Sequence, residues 1–142
     1  MSEKQIHLLH IEDDGVDKMV VERVLKKLKI VTSLHHAQNG EEALDKLRGA
    51  NGQEKLSPFP QIILLDLNMP RMNGIEFLKE LRADAALKHL SVYIVTTSND
   101  DHDRMDAYQS NVAGYILKPV DISQFENTFR VLGEFWMLCE FP

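Results

Sequence analysis

Ile62-Ile63-Leu64-Leu65-Asp66-Leu67-Asn68-Met69-Pro70 sets four consecutive apolar residues in front of a single aspartate and closes on a turn. A short apolar run of this kind fits a strand buried on both faces, as in a parallel sheet covered by helices. The same unit recurs on either side. Ile6 to Ile11 is an apolar run ended by three acids, after which Val16, Met19, Val20, Val24 and Leu28 return at helical spacing. Val31 to Ala37 suits a second strand, and Glu41 to Arg48 a second helix carrying Ala43, Leu44 and Leu47. Beyond Pro70, Ile75, Leu78 and Leu81 mark a third helix, Val92 to Val95 a fourth strand, Met105 and Tyr108 a fourth helix, and Ala113 to Leu117 a fifth strand. Ile122 to Leu138 is helical, with Phe125, Phe129, Leu132 and Trp136 on one stripe. The segment from Gly49 to Pro60, with two Gly and two Pro, reads as a surface loop. Five strands alternating with five helices predict an α/β fold: a doubly wound, flavodoxin-like parallel sheet with helices on both faces.

The composition agrees with one ordinary domain over residues 1–142, its core spanning 5–138: 142 residues, 44% apolar. A net charge of −6, with Lys and Arg scattered among carboxylates, argues against nucleic-acid binding. No stretch resembles a signal peptide, and no apolar run approaches the ~18 residues that span a bilayer, so the expected location is cytoplasmic. Cys139 is the only cysteine and reads as a packing residue.

In a doubly wound sheet the site lies outside the carboxyl ends of the strands. Glu12, Asp13 and Asp14 follow the first strand, Asp66 the third, Thr96, Thr97 and Ser98 the fourth, and Lys118-Pro119 the fifth. Carboxylates alone prove little, and Asp14 could simply cap the first helix. The combination of an acid pair, a lone aspartate, a hydroxyl and a lysine supplies a metal site, a nucleophile, a hydrogen-bond donor and a counter-charge. Together they make a phosphoryl-transfer site, with Mg²⁺ as the cation that relieves repulsion among the acids.

Through Glu12-Asp13, Leu65-Asp66-Leu67-Asn68-Met69-Pro70 with Gly74, Thr96, and Tyr115-Ile116-Leu117-Lys118-Pro119, the chain resembles the response-regulator receiver family of two-component phosphorelays. The resemblance implies that Asp66 is the phosphoacceptor and that Glu12, Asp13, the Asp66 carboxylate and the Asn68 backbone carbonyl hold Mg²⁺. It implies that Thr96 binds one phosphoryl oxygen, that Lys118 neutralises another, and that the bond before Pro119 is cis. Thr96 and Tyr115 would form the switch. A receiver is a signalling protein, not an enzyme in the ordinary sense, and its phosphodonor is a sensor histidine kinase. The long loop, Thr96-Thr97-Ser98, Lys118-Pro119-Val120-Asp121 and Phe135-Trp136 resemble small stand-alone regulators paired with phytochrome kinases, without an effector domain. Thr97 sits where many receivers carry a smaller residue, so access to Asp66 could be narrower.

Two other functions compete. Glu12-Asp13-Asp14-Gly15-Val16 resembles the nucleophile loop of haloacid-dehalogenase-like phosphatases, but with Glu for the first acid and Val for the usual Thr, and it leaves the Asp66 stretch unexplained. A degenerate receiver acting as a constitutive interaction module is disfavoured because every site position is filled. His7, His10, His35 and His36 lack metal-ligand spacing and read as satisfied structural histidines, while Asp100-Asp101-His102-Asp103 reads as a helix start. The last helix carries more apolar surface than one domain can bury. Phe129, Leu132, Phe135 and Trp136 are the expected contacts of a homodimer, with Val131, Met137, Leu138 and Phe141 adding to it.

Overall fold

In the computed structural model, which describes residues 4–142, the expected alternation is present throughout. The elements are β1 (His7–Ile11), α1 (Gly15–Leu28), β2 (Ser33–Ala37), α2 (Gly40–Arg48), β3 (Ile62–Leu65), α3 (Gly74–Ala83), β4 (Ser91–Thr96), α4 (Asp101–Gln109), β5 (Gly114–Leu117) and α5 (Ile122–Leu138). The strands form one parallel sheet in the order β2-β1-β3-β4-β5. The order reverses between β1 and β3, which is where a doubly wound sheet opens its crevice.

Alternation along each strand decides which helices cover which face. Leu9, Ile11, Ile63, Leu65, Val92 and Ile94 join one core with Leu44 and Leu47 of α2, Phe77 of α3 and Ala107 of α4. Leu8, Ile62, Leu64, Tyr93 and Val95 join the other with Val24 of α1 and Phe125, Phe129 and Trp136 of α5. Each helix starts on an Asp or Asn whose side chain accepts backbone N–H groups that the first turn leaves unpaired: Asp14, Asn39, Asn73, Asp100 and Asp121. Asp14 and the Asp100 run therefore cap helices, as the sequence suggests.

Two helices lie where their spacing placed them but bury other residues, and two expectations need correction. Val16 and Met19 belong to the helical spacing of α1 but are 64% and 45% exposed, because the helix turns Val21, Val24 and Leu25 to the sheet instead. Met105 and Tyr108 are likewise exposed, and α4 buries only Ala107. Residues 31 and 32 precede β2, since Thr32 folds back on Ile6 through its N–H and its hydroxyl. Among the described residues the one cis peptide bond is Ser57-Pro58, in the long loop, and Lys118-Pro119 is trans.

Gly74 fixes how closely α3 sits against the site. A Cβ at this position would lie 2.6 Å from the Asp66 carbonyl oxygen and 2.8 Å from Leu67 Cα, both backbone atoms. Only glycine fits without moving the loop that carries Asp66. Gly74→Ala is expected to cost about 1–3 kcal/mol through overpacking, read as a lower denaturant midpoint at unchanged slope. A variant as stable as the wild type would show that α3 does not rest on the Asp66 backbone.

Candidate functional site

Sheet register assembles the site. Ile11 pairs with Leu65, and Leu65 with Ile94, so Glu12 and Asp66 emerge side by side one residue later. Thr96 pairs with Leu117, and the Lys118 N–H donates to the Thr96 carbonyl at 2.8 Å. Alternation continued past the strand ends sends Glu12, Asp66 and Lys118 toward the α1/α5 side. There the Lys118 ammonium lies 2.8 Å from Glu12 Oε1, 3.1 Å from Asp66 Oδ2 and 2.7 Å from Asp17 Oδ2. Carboxylate oxygens of Glu12, Asp13 and Asp66 all fall within 4.8 Å of one another. Glu12 and Asp66 are buried and Asp13 is exposed. Asp13, Asp66, Asn68, Thr97 and Lys118 line one open cleft of about 690 Å³.

Asp17 is the residue that sequence reasoning missed. The available signal was its place in the first turn of α1, just after the strand-end acids, where an acid is equally expected from the helix dipole. Tertiary packing of α1 against the sheet was needed to show that Lys118 reaches it.

One lysine among four acids leaves the site short of positive charge. Burial, reinforced by Asp66 and opposed by Lys118, pushes the Glu12 carboxyl up to about 8. Burial also disfavours a charged Asp66, but its hydrogen bond with Glu12, the Lys118 charge and the Thr96 hydroxyl outweigh it and hold Asp66 below the usual carboxylate range. Burial works against the Lys118 ammonium too, yet Asp17, Glu12 and Asp66 raise its pKa. The cleft thus holds Asp66 anionic beside a fixed cation, while burial disfavours charge on Glu12.

Thr96 is fully buried, and Tyr115 packs against the core shared with α4. The Tyr115 hydroxyl donates to the Ser98 carbonyl at 2.9 Å, and the Arg104 guanidinium of α4 lies 5.6 Å over its ring. The two expected switch residues therefore meet at the loop joining β4 to α4. Of the histidines, His7 bonds Ser33 Oγ, His35 the Pro58 carbonyl and His36 the Glu12 carbonyl. His10 departs from expectation: it is buried with Nδ1 unpartnered. Burial, then the charges of His36 and Lys118, lower its pKa to about 3 and keep it neutral. The expected dimer contacts divide as well. Phe129 and Trp136 are buried in the domain and Leu132 packs half-buried against the same core, because that stripe faces the sheet. Phe135 is 51% exposed.

The donor set, three carboxylates open to a cleft on the Asp13 side, fits a hard divalent cation. The upward shift of Glu12 reflects the positive charge the acids lack and such a cation would supply. A carboxyl whose folded pKa is raised contributes stability that is full below its ordinary 4.5 and is lost as pH rises through about 8. Metal-free protein should therefore lose stability between about pH 4.5 and about pH 8 and no more above it, and Mg²⁺ should restore it. Chemical denaturation of Glu12→Gln should show a much flatter profile. A metal-free wild type that runs parallel to Glu12→Gln would mean that Glu12 does not carry the proton.

The response regulator receiver domain family matches residues 8–130. Response regulator Rcp1 of Synechocystis sp. is 32% identical over 130 residues, spanning 92% of this chain and 88% of that protein. Among solved structures, the phosphorylated cyanobacterial phytochrome response regulator RcpA superposes with a TM-score of 0.89 at 28% identity, over 98% of this chain and 99% of that one. The Mn²⁺-bound form of Rcp1 gives 0.86 at 30% identity, over 96% and 99%. With those matches and every strand-end residue in place, the phosphatase reading has no support, and the chain belongs to the response regulator receiver domain family.

Proposed function

We propose that this chain is a phosphorylation switch, residues 1–142 forming one receiver domain with Asp66 as phosphoacceptor. The supporting observation is the buried, anionic Asp66 carboxylate 3.1 Å from the Lys118 ammonium and within 4.8 Å of Glu12 and Asp13 oxygens. An Asp66 oxygen attacks the phosphorus of a kinase phosphohistidine. The O–P bond forms as the P–N bond breaks, and the departing imidazole keeps the electron pair and takes up a proton. Lys118 neutralises a phosphoryl oxygen, and the Thr96 hydroxyl hydrogen-bonds to another. Glu12, Asp13, the Asp66 carboxylate and the Asn68 carbonyl would hold Mg²⁺, which supplies the remaining charge neutralisation at the equatorial oxygens. The protein turns over nothing beyond its own phosphoryl group.

Movement of Thr96 toward the phosphoryl group disturbs the Ser98 loop, and Tyr115 and Arg104 relay that change to α4. A sensor histidine kinase in the cytoplasm is the donor. The likeness to Rcp1 and RcpA favours a phytochrome kinase, and the output is a change of protein partner. A constitutive interaction module would not need the anionic, lysine-paired Asp66.

On α5, Val131, Phe135 and Leu138 recur at i, i+4 and i+7 and are 58%, 51% and 82% exposed. This outer stripe, and not the buried Phe129 or Trp136, is the surface on which a second copy would pair.

Asp66→Asn should abolish labelling by acetyl phosphate with Mg²⁺ or by kinase, because an amide is neither an adequate nucleophile nor an anionic ligand; undiminished labelling would sink the assignment. Wild type should sediment as a dimer at micromolar concentration and Phe135→Asp as a monomer. A wild type that stays monomeric with and without beryllofluoride, a phosphoryl mimic, would end the dimer proposal.

A further inference from the structure

Lys118 has three N–H donors, and three carboxylates take them: Glu12 at 2.8 Å, Asp17 at 2.7 Å and Asp66 at 3.1 Å. These partners have different fates. Phosphorylation consumes the charge of Asp66, and a divalent cation draws on Glu12, which belongs to the carboxylate cluster with Asp13 and Asp66. Asp17 lies outside that cluster, in the first turn of α1, and is the shortest of the three contacts. It is therefore the one partner of Lys118 that belongs neither to the carboxylate cluster nor to the phosphoacceptor.

We infer that Asp17 is a positioning residue: it holds the Lys118 ammonium toward α1 throughout the phosphorylation cycle and shares its charge with the phosphoryl group, setting how tightly that group is bound. This rests on the reading of Lys118 as the counter-charge of the phosphoryl oxygens. The geometry explains why an acid is tolerated here, next to a site that must receive an anion. Side-chain exposure of Lys118 is 10% and of Asp17 29%, so the pair is only partly screened by water. A lysine with one fixed partner needs less ordering when the anion arrives, while that partner retains part of its charge. Because α1 contributes the partner, the position of the cation is tied to a helix and not to the β5 loop alone.

The test uses the full chain with saturating Mg²⁺ and beryllofluoride as the probe, followed by amide NMR titration. Asp17→Asn should bind beryllofluoride about fivefold tighter, since removing the competing charge frees the ammonium for the anion. The gain should disappear when Lys118 is already Gln or Met, because Asp17 acts through that side chain. In the wild type, proton NOEs between the Lys118 ε-methylene and Asp17 β-methylene should persist after Mg²⁺ and beryllofluoride are added, a readout that needs no variant. Unchanged or weaker affinity of Asp17→Asn, an undiminished gain in the Lys118 variants, or loss of the NOEs would each overturn the inference. So would loss of Mg²⁺ binding in Asp17→Asn, which would make Asp17 a metal group. If Lys118→Gln alone leaves beryllofluoride affinity intact, the reading of Lys118 as counter-charge fails first, and the inference falls with it for that separate reason.

Discussion

The ammonium of Lys118, set among Glu12, Asp17 and Asp66 with little access to water, is the interaction on which the rest of the site depends. A half-buried cation is held only where carboxylates offset its desolvation, and carboxylates this close are held together only by a cation. Here the acids outnumber it. Burial, reinforced by Asp66, pushes the Glu12 carboxyl up to about 8, and the cleft retains room and oxygen donors for a further positive charge on the Asp13 side. His10, buried two residues before Glu12, is kept neutral first by burial and then by the charges of His36 and Lys118, so no second cation forms there.

Strand pleating separates the chemistry from the readout. Glu12, Asp66 and Lys118 point toward the α1/α5 side and Tyr115 toward the α4 side, while Thr96 ends the strand between them. On the α4 side apolar packing is thin, with Ala107 the only buried residue of the helix. Polar contacts hold its ends: Ser98 Oγ donates to Asp103, and Arg82 donates to the carbonyls of Ser110 and Asn111. Few buried apolar contacts mean a low cost for local rearrangement, so a change at the Thr96–Ser98 loop can be felt at α4.

The opposite end of the domain is built for permanence. Trp136 is fully buried, edge-to-face with Tyr93 at 5.6 Å, and Phe125 and Phe129 stack further along α5. Aromatic burial of this kind fixes one face of α5 to the sheet and leaves only the outer stripe available to a partner. The single tryptophan reports on the core, not on the cleft.

Local pattern was enough to read the alternating strands and helices, the helix starts at Asp14 and Asp100, and the strand-end positions of Glu12, Asp13, Asp66, Thr96 and Lys118. Those features depend on periodicities of about 2 and 3.6 residues and on side chains that bond to their own backbone. What required the folded chain was every choice between equivalent faces and every contact across long separation. Val16 and Met19 mark a helix by their spacing, yet α1 turns Val21, Val24 and Leu25 inward, and of the four α5 residues expected at a dimer contact Phe129 and Trp136 dock on the sheet while Phe135 stays exposed. Asp17 and Lys118 are 101 residues apart in the chain. No periodicity links them, and only the packing of α1 beside the end of β5 brings carboxylate and ammonium to 2.7 Å, because proximity in space is set by the arrangement of the whole sheet and not by any stretch of sequence.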